Sequence, residues 1–212
     1  MPTSRRKVSA AYRDLNREIA ALRRFDSRIQ GQFSAGGPQS LTRADLCLQV
    51  EAIFLRAFRS FEAFIRDVFL LYCLERPTRS GRRVRSFLNP RSFRHAEELI
   101  QSSLRYLDWT SPDQVIRRAD LYLHNGFPLK IPYASKKETL QDFKHIRNYI
   151  AHSSKEALAS YQNVLRKHFG AIPLSLPAPG EFLLAPDPAD PYRYMLLAFF
   201  DTIETIADQV TR

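Results

Sequence analysis

The chain has 212 residues, of which 44% are hydrophobic, and its 32 Lys and Arg against 22 Asp and Glu give a formal net charge of +10 at pH 7. Only 7 Gly and 2 Cys are present, whereas 15 Phe and 9 Tyr can build a core, which excludes the collagen-like, disulfide-scaffold and disordered classes. No stretch approaches the roughly 18 apolar residues of a membrane span, and no apolar signal segment follows the basic start at residues 1–7. We therefore expect a single domain over residues 1–212, located in the cytoplasm and not bound to a membrane.

The first third of the chain predicts two long helices. In residues 4–30, apolar side chains recur every three or four positions from Val8 to Ile29, which indicates an amphipathic helix. A Gly- and Ser-rich cluster at 31–40 is predicted to end that helix. Residues 41–75 contain no Pro or Gly and are rich in Phe, so they predict a long central helix that other helices contact on more than one side.

The rest of the chain predicts shorter helices. Residues 125–135 are a predicted loop, and residues 170–191, which hold six of the thirteen prolines, are predicted to form an extended loop or a small hairpin. We find no internal repeat and no strand pattern long enough for a sheet, so the predicted fold is an all-α antiparallel helical bundle. The remaining predicted helices span residues 92–107, 112–124, 136–151, 154–168 and 191–209.

The basic residues are concentrated in one segment. Residues 76–94 contain seven Arg and no acid, whereas the segment after Gly170 has a net charge of −4, which leaves about +14 on the rest of the chain. One interpretation is a solvated surface run. The other is a surface for a polyanion, because Arg binds phosphate in a bidentate fork and the run is interleaved with Phe87 and Phe93, which could stack on bases.

One group of residues points to chemistry. The sequence contains no phosphate-binding GxxxxGK[ST] loop, no GxGxxG after a strand, no HExxH, no paired CxxC and no GxSxG. Of the five histidines, only His152 lies in a suggestive setting, because Arg147 and Asn148 precede it near the end of a predicted helix. At 100° per residue, Arg147 falls inside the apolar stripe around Phe143 and Ile146, where a guanidinium requires an acid partner or a wet interface.

The residues after the histidine predict a break in the helix. Ser153 and Glu156 match the S-x-x-E capping box, so we expect a new helix to begin near Ser153 and the previous one to end or kink at His152. Such a break would let the imidazole turn toward Arg147 or Asn148. The alternative is a helix-terminal His152 that interacts with free carbonyl groups, with Arg147 paired to a core acid.

The run Arg147-Asn148-Tyr149-Ile150-Ala151-His152 resembles the signature of the HEPN superfamily (higher eukaryote and prokaryote nucleotide-binding domains). In that signature an arginine, often followed by a polar residue, is separated by a short spacer from a histidine. The all-α organisation, with two long amphipathic helices first and the motif at the end of a later helix, is also similar. The chain length and the central helix favour the RiboL-PSP-HEPN branch.

The resemblance implies a metal-independent endoribonuclease that uses no cofactor, of the kind found as toxins of toxin–antitoxin or phage-defence systems. His152 would act as general base on the ribose 2′-OH or as general acid on the leaving 5′-oxygen, Arg147 would hold the scissile phosphate, and Asn148 would orient the imidazole or a phosphate oxygen. The products would carry 2′,3′-cyclic phosphate and 5′-OH ends. The implied partners are RNA, a second copy of the chain that completes the site, and a cognate antitoxin. The predicted substrate-binding residues are Arg82, Arg83, Arg85 and Lys144.

Two alternatives to the ribonuclease remain open. One is a catalytically silent HEPN-like module that binds nucleic acid, a nucleotide or a partner protein, and the other is a structural helical dimer with Arg147 in an interface ion pair. Ser154 stands where some toxins of this superfamily carry a modified Tyr, so that regulation is not expected here. Glu62 and Asp67, beside Arg59 and Arg66, are predicted either to form a salt-bridge ladder on a solvated face or to support Arg147.

Overall fold

The computed structural model describes residues 7–35, 40–102 and 107–212. In these ranges the chain forms nine α-helices and one two-stranded antiparallel sheet, so the all-α prediction is confirmed. No helix in the described part of the chain combines the length and the apolar content that crossing a membrane requires. The helices are α1 (Val8–Ser34), α2 (Arg43–Cys73), α3 (Phe93–Gln101), α4 (Pro112–Tyr122), α5 (Lys130–Ser135), α6 (Lys137–His152), α7 (Lys155–Phe169), α8 (Pro179–Leu183) and α9 (Met195–Thr211), and the strands are β1 (Pro186–Asp187) and β2 (Asp190–Tyr194).

The described residues pack as two compact units. Unit 1 contains those within residues 1–17, 60–140 and 203–212, and unit 2 contains those within residues 18–59 and 141–202. The chain passes from one unit to the other inside four helices, α1, α2, α6 and α9. The expected single domain stays a prediction.

In unit 1, the C-terminal end of α9 is held by the end of α2 and by the segment that follows it. The buried Tyr72 hydroxyl donates a hydrogen bond to the carbonyl oxygen of Val210 at 2.7 Å. The backbone N–H of Arg79 donates to the carbonyl oxygen of Thr211 at 2.7 Å, and the Arg79 guanidinium pairs with Asp208 at 2.5 Å. These contacts join residues that are more than 125 positions apart in the chain.

In unit 2, an aromatic cluster joins three helices. The ring of Phe199 on α9 lies 4.7 Å from that of Phe54 on α2 and 4.8 Å from that of Phe143 on α6, measured between centroids, and all three side chains are buried. Ile146, one turn after Phe143, is buried as well. This burial fixes which face of α6 points inward, and therefore which face carries its polar residues outward.

The short helix α8 lies directly against α2. The backbone N–H of Gly180 donates to Glu51 Oε1 at 2.8 Å. A Cβ atom at Gly180 would lie 2.5 Å from the carbonyl oxygen of Cys47, which is well inside van der Waals contact. Glycine is therefore required at this position for α8 to approach the backbone of α2 so closely.

Several predicted boundaries are wrong. The first helix continues through Gly31 to Ser34, because one helical glycine costs only about 1 kcal/mol relative to alanine. The helix predicted at 92–107 ends at Gln101, because Ser102 adopts a φ of 44°. The predicted loop at 125–135 contains α5. For residues 170–191, the structure has the second of the two predicted alternatives, a small hairpin of β1 and β2, although α8 precedes it and β2 runs to Tyr194. Parts of these predictions fall on residues 4–6, 36–39 and 103–106, which lie outside the described residues.

Candidate functional site

The predicted break between two helices is present at the end of α6. Ser153 adopts a left-handed φ of 42° and ends the helix, while its N–H still donates to the carbonyl oxygen of Tyr149 at 3.2 Å. The N-cap of α7 is Ser154, whose Oγ accepts a hydrogen bond from the N–H of Ala157 at 3.2 Å. The prediction that the new helix begins near Ser153 was therefore wrong by one residue, because the left-handed conformation of Ser153 ends α6 and Ser154 caps α7. His152 is the last residue of that helix.

Arg147 and Asn148 are in direct contact on α6. Arg147 Nη1 donates to Asn148 Oδ1 at 3.0 Å, and both side chains are partly buried. Among the described residues of unit 2, no carboxylate pairs with this guanidinium. The alternative in which Arg147 pairs with a core acid therefore finds no support within that unit. The remaining N–H groups of the guanidinium can donate hydrogen bonds to an anion.

His152 shares its helix face with Asn148 and not with Arg147. Because α6 stays helical through His152, Asn148 lies one turn away, about 40° around the axis and about 6 Å along it. Arg147 lies about 140° around the axis from His152. The helix was expected to end or kink at His152 and so to let the imidazole turn toward Arg147 or Asn148. Because α6 ends after His152, the histidine keeps its helical position, and the expected turn toward Arg147 is wrong. The His152 side chain is exposed and can reach a ligand at the end of α6.

A second histidine, which the sequence analysis did not single out, lies on the same face of α6. His145 lies seven residues before His152, so the two imidazoles and Asn148 form one stripe along α6. His145 Nε2 lies 3.1 Å from the Nε2 atom of Gln141, and burial lowers the pKa of His145, with Asp142 opposing the shift. The seven-residue spacing is visible in the sequence and could have identified this stripe.

The predicted substrate-binding residues divide between the two units. Lys144 is partly buried and lies on α6 in unit 2, three residues before Arg147. The others lie in unit 1 and are exposed: the Arg82 guanidinium lies 4.4 Å from the ring centroid of Phe127, and Arg83 Nη2 lies 3.6 Å from a carboxylate oxygen of Glu75. Arg85 is the remaining exposed member of this group.

Acids from outside the basic segment neutralise part of its charge. Arg83 faces Glu75, Arg79 pairs with Asp208, and Arg94 Nε lies 2.8 Å from Glu98 Oε1. The segment therefore presents less positive charge than its seven arginines suggest.

Asp67 does not belong to a solvated ladder. Its side chain is only 7% exposed, and Arg66 Nη2 lies 3.0 Å from Asp67 Oδ1. The prediction of a salt-bridge ladder on a solvated face is therefore wrong for Asp67, because the packing of α2 buries this position. A role of Glu62 or Asp67 in supporting Arg147 stays a prediction.

Comparisons of the chain with models of known protein families, with curated proteins and with solved structures each gave no significant match. The HEPN resemblance therefore still depends on the residues from Arg147 to His152. Among the residues that the structure describes, no three His, Cys, Asp or Glu side chains lie close enough together to hold a metal ion.

Proposed function

We propose that the protein is a metal-independent endoribonuclease with Arg147, Asn148 and His152 as its catalytic residues. The observation that carries the proposal is the contact between the partly buried Arg147 and Asn148, with no carboxylate of unit 2 on the guanidinium and an exposed His152 one turn beyond Asn148. A partly buried guanidinium without a counterion is costly unless it binds an anion, and a phosphate suits its fork of donors.

The chemistry proposed for this group is transesterification at phosphorus. A base removes the proton from the ribose 2′-OH, the 2′-oxygen attacks the adjacent phosphorus, and the bond from phosphorus to the 5′-oxygen breaks while an acid protonates that oxygen. Arg147 binds the non-bridging phosphate oxygens and stabilises the charge that develops on them. The Asn148 amide holds the guanidinium through its Oδ1 atom and leaves its N–H donors for the substrate or for His152.

In-line cleavage needs both an acid and a base, whereas His152 is one imidazole. We propose that two copies of the chain associate about a twofold axis and that each contributes a His152, one as base and one as acid. We assign the activity to the cytoplasm as a toxin or defence nuclease, and a cognate antitoxin that covers the site would restrain it.

The test is cleavage of single-stranded RNA in the presence of EDTA by the wild type, His152→Ala and His145→Ala. His145 is a matched control, because it lies on the same face of α6 about two turns away. We expect the wild type and His145→Ala to cut, and His152→Ala to lose about 10²- to 10⁴-fold in rate. If the wild type binds RNA without cutting it, or if all three cut equally, the catalytic proposal is wrong, and the first outcome favours a silent binding module.

Mixing wild-type and His152→Ala subunits tests the shared site. If a productive cleft needs both histidines, only dimers of two wild-type chains cut. After equal mixing and subunit exchange, about one quarter of the dimers are of this kind, so the mixture keeps about one quarter of the activity of an equal total amount of wild-type protein. Independent sites would leave about one half. The second result, or a monomer that is fully active, would contradict the shared cleft.

A further inference from the structure

The basic segment of unit 1 is fixed to the end of α4 by a short antiparallel pairing. Ser86 pairs with Leu123, the N–H of Phe87 donates to the carbonyl oxygen of Tyr122 at 3.0 Å, and the N–H of His124 donates to the carbonyl oxygen of Arg85 at 3.0 Å. The side chain of Ser86 also donates to the Tyr122 carbonyl oxygen at 3.2 Å. The backbone of residues 85–87 is therefore held in one conformation.

This pairing sorts side chains between the inside and the outside of the unit. Val84 and Leu123 are fully buried, whereas Arg85, Phe87 and His124 are exposed, as alternation along paired strands requires. The Phe87 ring stacks on the His124 imidazole, with centroids 4.1 Å apart and an interplanar angle of 21°. Phe87 is nevertheless 61% exposed. A large apolar ring is thus presented to solvent on a fixed backbone.

A cleft of about 360 Å³ adjoins this ring. It is lined by residues 73–75 and 86–90, and its volume lies in the range of about 300–1,000 Å³ that is common for small-molecule sites. Polar groups line it beside Phe87: Glu75 Oε1 accepts a hydrogen bond from the N–H of Ser86 at 3.1 Å, and Asn89 is exposed at its edge. Such groups can hydrogen-bond the edge of a planar heterocycle that stacks on the ring.

The charge around the cleft suits a phosphodiester chain. Arg85 lies on the same exposed side of the pairing as Phe87, and among the described carboxylates of unit 1 none pairs with the Arg85 guanidinium. An aromatic ring beside an arginine is a combination with which proteins bind single-stranded nucleic acid, because a base stacks on the ring and a phosphate contacts the guanidinium group.

We propose that Phe87, stacked on His124, is a platform for one unpaired base of a single-stranded RNA. Arg85 contacts a phosphate next to that base, and Glu75 and Asn89 face its edge in the cleft. The choice of RNA rests on the proposed function, whereas the platform itself rests only on contacts within unit 1.

The test is binding of a short fluorescein-labelled single-stranded RNA to His152→Ala protein, in which the RNA is expected to stay intact. We expect Phe87→Ala to weaken binding by roughly 5- to 150-fold, the effect of losing one stacked base, and Phe87→Trp to bind at least as tightly as the parent. Tyr192→Ala is the matched control, because Tyr192 is fully exposed in the hairpin of unit 2. Equal binding by Phe87→Ala and Tyr192→Ala would overturn the proposal.

Two further measurements separate stacking from charge. Arg85→Gln is expected to reduce the slope of log K against log salt by about 0.7, whereas Phe87→Ala leaves that slope unchanged. An RNA that carries 5-iodouridine should crosslink within residues 85–90 on irradiation.

The platform is refuted if duplex RNA, duplex DNA or a protein ligand shows the same dependence on Phe87, or if the crosslink maps elsewhere. RNA binding that depends on Phe87 in a wild type that never cuts would refute the nuclease alone, and cleavage with binding unaffected by Phe87→Ala would refute the platform alone.

Discussion

The close approach of α8 to α2 gives the sharpest stability prediction. A methyl group at Gly180 would lie 2.5 Å from the carbonyl oxygen and 2.7 Å from the Cβ atom of Cys47, and the first of these belongs to the backbone of a long helix that cannot yield locally. Overpacking of this kind costs about 1–3 kcal/mol. If α8 moves away instead, the hydrogen bond from Gly180 to the Glu51 carboxylate is lost, at about 1.5–3 kcal/mol. By either route, we expect Gly180→Ala to lower the free energy of unfolding by about 1–3 kcal/mol.

The assay is urea denaturation followed by circular dichroism, with Gly31→Ala as the matched control. Gly31 lies inside α1, and a Cβ atom there meets no atom within 4 Å, so the same substitution is expected to raise the free energy of unfolding by about 0.5–1 kcal/mol. The two variants should therefore change stability in opposite directions. If Gly180→Ala is as stable as the wild type, the contact between α8 and α2 is wrong.

Two further pairs of variants should also change stability in opposite directions. Ser153→Gly is expected to stabilise by about 1 kcal/mol, because a left-handed φ is strained for serine and not for glycine, whereas Ser154→Ala removes the N-cap bond of α7 and destabilises by about 1 kcal/mol, both measurable by denaturation. Burial raises the pKa of Asp26, so its contribution to stability is present below its ordinary pKa and is lost as pH rises through the raised value; Asp26→Asn should remove this loss on the alkaline side of about pH 4. Hydrogen bonds from Thr42 lower the pKa of Asp45, so its contribution is present above its ordinary pKa and is lost as pH falls, and Asp45→Asn should remove a loss on the acid side. The difference in free energy of unfolding between each variant and the wild type should change with pH in opposite directions for Asp26→Asn and Asp45→Asn, and a change in the same direction would contradict one of the two assignments.

Helix ends were predictable where a local signal decides them. The second helix begins at Arg43 because the Thr42 hydroxyl accepts a hydrogen bond from the N–H of Asp45 and the Thr42 N–H donates to the Asp45 carboxylate, both within four residues of sequence. The start of α7 was ambiguous by one position, because Ser153 and Ser154 are both good caps and only the conformation of Ser153 separates them. Helix α5 was missed because six residues carry too little periodicity, and tertiary burial of Tyr133 supplies the missing stabilisation.

The candidate site was predictable in its residues but not in its contacts. The order of Arg147, Asn148 and His152 along one helix determines that Asn148 shares a face with His152, and this follows from helical geometry alone. The ion-pair partners of the basic segment were not predictable from helical geometry, because Arg79 pairs with Asp208, which is distant in the sequence. Such pairs depend on how the whole unit packs, so a count of charges overestimated the positive surface.

Unit 1 is built from three separate segments of the chain, and this determines when it can form during synthesis. Residues 60–140 hold the end of α9 through Tyr72 and Arg79, and residues 203–212 leave the ribosome only after the 62 intervening residues have been translated. At about 5–20 residues per second, that interval lasts about 3–12 s. A nascent chain therefore carries the basic segment for seconds before the rest of its unit exists.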